Sequence, residues 1–150
     1  MAGNAGGIEL GRNAIRITDP HGADIKLGSF PQRVFSLDEN FMVVRRRANL
    51  CLSRDLTGYH MYGPDLCVMA DVTGHTCYVI DFHLEHLSGG TLDASFADAV
   101  TAFVRKYARA LRSRWVQTSV TAVFLSGSRQ LRKVAGSRVG QLLRLTTRLG

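Results

Sequence analysis

The chain has 150 residues, 45% of them hydrophobic and 21% charged, which is the size and make-up of one folded domain and excludes a wholly disordered polymer. Nineteen Lys and Arg against twelve Asp and Glu give a net charge of +7 and a pI near 9.9. Such a balance attracts anionic partners: nucleic acid, phosphorylated ligands, acidic proteins or anionic lipid. No apolar run approaches the roughly 18 residues of a membrane span, and residues 1–16 lack the apolar core of a signal peptide. The expected location is therefore cytoplasmic, or nuclear where the host has a nucleus.

In chain order, residues 1–12 are rich in glycine (Gly3, Gly6, Gly7, Gly11) and read as a flexible tail, leaving 13–150 as a single α+β domain. Ile15-Arg16-Ile17 and Ile25-Lys26-Leu27 alternate around Asp19-Pro20-His21-Gly22, which predicts a hairpin. Further strands are expected at 41–44 and 50–52, flanking Arg45-Arg46-Arg47, and at 66–72 and 77–84, with Thr73-Gly74 as the turn between the last two. Together these make an N-terminal antiparallel β-meander.

The hydrophobic period then changes. Residues 92–115 read as an amphipathic helix capped by Thr91 or Asp93. Phe96, Val100, Phe103, Val104, Tyr107 and Leu111 form its apolar stripe, opposite Arg105, Arg109, Arg112 and, at the edge, Lys106. The β-branched run at 118–125 predicts a strand. A second helix over 129–149 places Leu131, Val134, Ala135, Val139, Leu142, Leu145 and Leu149 on one face, with Arg129, Lys133, Arg144 and Arg148 opposite and Arg132 on the flank. Strands 77–84 and 118–125 with the intervening helix suggest a β-α-β-α segment, its two helices packed on one sheet.

Charge is segregated along the chain. Residues 1–100 carry eight positive side chains and all twelve acids, a net −4, while residues 101–150 carry eleven positive side chains and no acid. The leading expectation is a basic binding surface for an anionic partner, nucleic acid first, formed by Arg105, Lys106, Arg109, Arg112, Arg129, Arg132, Lys133, Arg144 and Arg148. Trp115 is the candidate for base stacking.

A parallel strand pair would bring the loops after 77–84 and 118–125 to one sheet edge, where ligands commonly bind. Ser126, Gly127, Ser128 and Arg129 on one loop, with His83, Gly89 and Gly90 on the other, are then candidate phosphate ligands at helix N-termini. Gly and Ser are equally the residues of caps and turns, and neither loop is a Walker A or a G-x-G-x-x-G motif. The cysteines Cys51, Cys67 and Cys77 are an odd set that reads as free thiols. With His75, Asp81, His83 and His86 they match no zinc spacing, and Asp71 with Asp81 is a weak carboxylate pair, so neither a metal nor a cofactor is expected. No catalytic residue is assigned, and a binding role is favoured over an enzyme. The alternatives are a homo-oligomeric assembly protein docking on an acidic protein, a small enzyme acting on a phosphate-bearing substrate at the two loops, and peripheral membrane contact through the last helix.

Overall fold

The computed structural model describes residues 1–20, 22–88 and 93–136. The chain is α+β, as its periodicities imply, and it divides into two compact units, 1–103 and 104–150. No helix among the described residues is long and apolar enough to cross a membrane.

The first unit holds two sheets. β1 (Ala2–Gly3), β5 (Gln32–Val34), β6 (Met42–Val43) and β7 (Cys77–Val79) form a mixed sheet in the order β5-β7-β1-β6, with β1 parallel to β7. β2 (Ala5–Glu9), β3 (Arg12–Thr18) and β4 (Asp24–Leu27) form an antiparallel sheet. The expected hairpin is present as β3–β4, with Ile15 opposite Leu27 and Ile17 opposite Ile25. Its turn closes through Gly22 N–H to the Asp19 carbonyl at 2.8 Å.

The glycine-rich start is not a tail. It contributes β1 and β2, and Asn4 between them is fully buried. The glycines are there because backbone approaches backbone. A Cβ on Gly6 would lie 2.2 Å from the Ser36 carbonyl oxygen, and one on Gly3 would lie 2.8 Å from that of Phe41. Glycine is read as flexible from composition alone, yet it is also the only residue that lets two main chains meet this closely.

A second correction concerns 66–72. This run is not a strand but the body of α1 (Tyr62–Val72). A short continuous apolar run fits a buried strand and a buried helix equally, and tertiary burial decided. Gly63, Cys67 and Ala70, spaced four and three apart, are all buried. The Thr73-Gly74 step is the helix stop rather than a hairpin turn. The His75 N–H donates to the Ala70 carbonyl at 2.7 Å, the Gly74 N–H donates to the Asp71 carbonyl at 3.0 Å, and Gly74 has φ +78°. That is a Schellman motif, which needs the same left-handed residue a tight hairpin needs.

β7 is shorter than expected, and residues 50–52 form no strand. The core unites Ala14, Val34, Leu37, Cys67, Ala70, Cys77 and Val79, with Met1, Ile8, Phe30, Met42 and Leu50 packed around them.

The boundary between the units falls within α2 (Ala94–Ala110). Asp93 caps this helix, accepting from the Ser95 N–H at 2.8 Å. The second unit has an antiparallel hairpin, β8 (Arg114–Gln117) with β9 (Ala122–Leu125), followed by α3 (Arg129–Gly136). Residues 114–117, read from sequence as the end of a helix and its exit, are thus a strand, and 118–121 form the turn. The Thr118 hydroxyl accepts from the Thr121 N–H at 2.9 Å and donates to the Thr121 carbonyl at 2.8 Å. The expected parallel β-α-β crossover does not form, because β7 and β9 belong to different sheets. A four-residue turn closes a loop at far lower entropy cost than a crossover through a helix. The predicted helix beyond Gly136 lies outside the described residues.

The close approach at Gly6 makes a stability prediction. Gly6→Ala forces Ser36 away from β2 and should lower unfolding free energy by about 1–3 kcal/mol, as overpacking does. Gly127→Ala meets nothing within 4 Å and should be near neutral. Urea unfolding of the two variants checks both.

Candidate functional site

The segment after β5 is the best-built place for chemistry in the first unit. It runs Ser36-Leu37-Asp38-Glu39-Asn40 and is clamped on two sides. On one side Gly7 N–H donates to the Ser36 carbonyl at 3.2 Å, and Asp38 N–H donates to the Ala5 carbonyl at 3.0 Å. On the other, Gly63 at the start of α1 sits so close that a Cβ there would be 2.3 Å from the Leu37 carbonyl oxygen. Leu37 itself is 1% exposed. With Leu37 pointing into the core, the next two carboxylates are held at the surface beside α1.

Those carboxylates line a cleft of about 280 Å³ together with Asn13, Ser36, His60 and Phe96. Gly6 and Gly7 line it too. The Glu39 carboxylate accepts from the Gly63 N–H at 3.2 Å, and the Tyr62 hydroxyl donates to the Glu39 carbonyl at 3.1 Å. Burial pushes the Glu39 carboxyl above its ordinary value; the Asp38 charge adds to this, and the backbone N–H groups of Gly63, Glu39 and Met61 oppose it. Asp38 is exposed and accepts from the Asn40 N–H at 3.0 Å. His60 and Phe96 meet edge to face, ring centroids 5.5 Å apart. The result is a small concave site with two adjacent carboxylates, an amide, a hydroxyl, an imidazole and an aromatic ring. It can accept hydrogen bonds from hydroxyl groups, and it disfavours anions. Sequence reading did not single out this site, because Asp38-Glu39 follows no motif. The available signal was the Gly-Gly pair.

The strand pair that was to align the two candidate phosphate loops is not formed. His83 turns onto β3, its Nε2 2.7 Å from the Thr18 hydroxyl and 3.7 Å from an Asp24 carboxylate oxygen. The surrounding loop is strapped to the same strand: Thr18 N–H donates to the Leu84 carbonyl and His86 N–H to the Thr18 carbonyl, both at 2.9 Å. Gly89 and Gly90 lie outside the described residues. Ser126, Gly127, Ser128 and Arg129 form the cap of α3. The Ser128 N–H donates to the Ser126 hydroxyl oxygen at 3.1 Å, the Leu131 N–H donates to that of Ser128 at 3.3 Å, and an Arg132 guanidinium N–H donates to the Ser126 carbonyl at 2.6 Å. The two serine hydroxyls thus take up two of the N–H groups at the start of α3.

Asp71 and Asp81 are not a carboxylate pair on neighbouring strands. Asp71 ends α1, whereas Asp81 pairs with Lys26 at 3.0 Å and Arg16 at 3.4 Å. Among the described residues no group of three His, Cys, Asp or Glu is placed to hold a metal ion.

In the second unit the described basic residues selected from sequence lie on helices, except Arg112, which is expected on the first helix and lies beyond its end. Arg105, Lys106 and Arg109 are on α2, Arg112 follows it, and Arg129, Arg132 and Lys133 are on α3. All are exposed except Lys106, which is half-buried with its ammonium 5.5 Å from the Tyr107 ring centroid. Arg114 on β8 adds a cation that sequence reading did not select. Trp115 is 40% exposed and packs against Phe124 across the hairpin, centroids 5.1 Å apart. Arg144 and Arg148 lie outside the described residues.

The raised Glu39 carboxyl implies a specific pH dependence. A carboxyl whose folded value exceeds its unfolded value, near 4.3, costs nothing at lower pH and destabilises once pH has risen through both values. Glu39→Gln keeps an acceptor for Gly63. It should therefore unfold like the parent at pH 3 and be more stable than the parent at pH 7, read as the thermal midpoint at the two pH values.

No protein-family model matches the chain. It is similar to a protein of Fuscovulum blasticum named "ATP synthase subunits region ORF 6", with 38% identity over 114 residues. The similarity covers 76% of this chain and 46% of that protein, so the chain spans less than half the length of its relative.

Proposed function

We propose that the first unit binds a small neutral molecule bearing hydroxyl groups in the Asp38–Glu39 cleft, and that Glu39 exchanges a proton with it. The observation that carries this reading is the pair of consecutive carboxylates held over a concave site by the glycine clamp. One of the two is raised by burial above its ordinary value. Asn13, Ser36 and His60 supply further hydrogen-bonding groups for a polyhydroxyl ligand, and Phe96 supplies an apolar face. The carboxylates repel phosphate and carboxylate ligands, so the anionic partner expected from the overall charge does not belong here.

A second reading concerns the second unit, and one observation favours it. Residues 104–136 contain eight Arg and Lys and no Asp or Glu. Exposed guanidinium groups without an acidic counterpart suit a phosphate backbone, which supports contact with an anionic partner, nucleic acid first. This surface acts through charge, with Trp115 as its one aromatic candidate for stacking.

The two readings separate in one NMR experiment with two probes. Glucose should shift the amides of Gly6, Gly7, Glu39 and Gly63 and leave those of the second unit in place, and Asp38→Asn with Glu39→Gln should weaken its binding at least ~10-fold, as losing hydrogen bonds to charged groups does. Inorganic phosphate should do the reverse. Unchanged cleft amides at high glucose concentration would end the first reading. For the second, the anisotropy of a fluorescent single-stranded oligonucleotide should show affinity falling by about 10-fold or more between 50 and 200 mM salt, given the steep salt dependence of phosphate contacts. Absence of binding at the lower salt would end it.

A further inference from the structure

The buried thiols Cys67 on α1 and Cys77 on β7 face each other as hydrogen-bond partners in the first unit. They are not sealed in. A cavity of about 130 Å³ is lined by both cysteines together with Arg33, Asp71 and His75. A water molecule's share of liquid volume is about 30 Å³, so a peroxide fits.

We propose that Cys77 and Cys67 are a peroxide-reactive thiol pair, Cys77 attacking and Cys67 resolving, which closes to a disulfide between α1 and β7. The roles follow from the surroundings. The Cys67 thiol donates toward Cys77, and the Arg33 guanidinium and the Met1 ammonium add positive charge at Cys77. Burial and the Asp71 carboxylate oppose them, and the balance lowers the Cys77 thiol to about 7. The Cys67 thiol is pushed up, first by its hydrogen bond to Cys77 and then by burial. A lowered thiol beside a second thiol is the arrangement that favours thiolate attack followed by resolution.

The step balances. The Cys77 thiolate attacks one oxygen of hydrogen peroxide, an S–O bond forms, the O–O bond breaks, and hydroxide leaves to become water. The Cys67 thiol then attacks the sulfenic sulfur. An S–S bond forms, the S–O bond breaks, and the departing hydroxide takes the Cys67 proton as a second water. Two thiols lose two electrons and one peroxide gains them. The bridge joins the strand to the helix whose first turn holds Glu39.

The test uses the full chain carrying Cys51→Ser, which removes the exposed third thiol. After treatment with hydrogen peroxide, intact mass should fall by two hydrogens, and a non-reducing digest should recover one peptide pair linked through Cys67 and Cys77. Dithiothreitol should restore the parent mass. With Cys67→Ser added, dimedone should label Cys77, whereas with Cys77→Ser added instead, Cys67 should stay unlabelled. Recovery of both thiols unoxidised from the folded Cys51→Ser chain would overturn the proposal. Dimedone labelling of Cys67 rather than Cys77 would overturn the assignment of roles.

Discussion

The first unit depends on one constraint: the segment from Ser36 to Phe41 lies against bare backbone on two sides. Gly3 and Gly6 leave room for the Phe41 and Ser36 carbonyls, and Gly63 leaves room for that of Leu37. Hydrogen bonds from Gly7 and Asp38 lock the contact. Leu37 is driven into the core by this packing, beside Val34, Cys67, Ala70 and Val79. Asp38 beside it stays exposed, Glu39 in the following turn is half-buried, and both line the cleft. The chemistry of that cleft is therefore a consequence of three missing Cβ atoms.

The same clamp explains the electrostatics of the site. Burial beside the first turn of α1 raises the Glu39 carboxyl, against the opposing hydrogen bond that it accepts from the Gly63 N–H. Elsewhere in the first unit, charge is spent on structure. Arg16 and Lys26 hold Asp81, and Arg16 also pairs with Asp24. The loop around His83 is tied to β3 by backbone hydrogen bonds. Asp24 and Asp81 thus serve the strapped hairpin and Asp38 and Glu39 the cleft, while the second unit, over its described residues, has cations alone.

Some of this was legible in the sequence. Ile15, Ile17, Ile25 and Leu27 alternate around a turn, and they pair as their period requires. Asp93 stands before an apolar 3.6-residue stripe and caps α2. The cleft was not legible, since its members are contributed by β2, β3, the segment after β5, the residues around the start of α1, and α2, and no local spacing links them. The run at 66–72 was misread for a related reason. Its residues are apolar except for Asp71, and the burial of Gly63, Cys67 and Ala70 on one face distinguishes helix from strand.

The sequence by itself determined the α+β class, the β3–β4 hairpin, the amphipathic helix α2 and the gathering of cations after residue 100, because each is written in residues close along the chain. The tertiary structure decided what the glycines are for, which strands are neighbours, that Ser126 and Ser128 cap a helix, and which carboxylates and thiols meet. Those outcomes depend on contacts between distant segments, where sterics and burial choose among local conformations that the residues allow about equally.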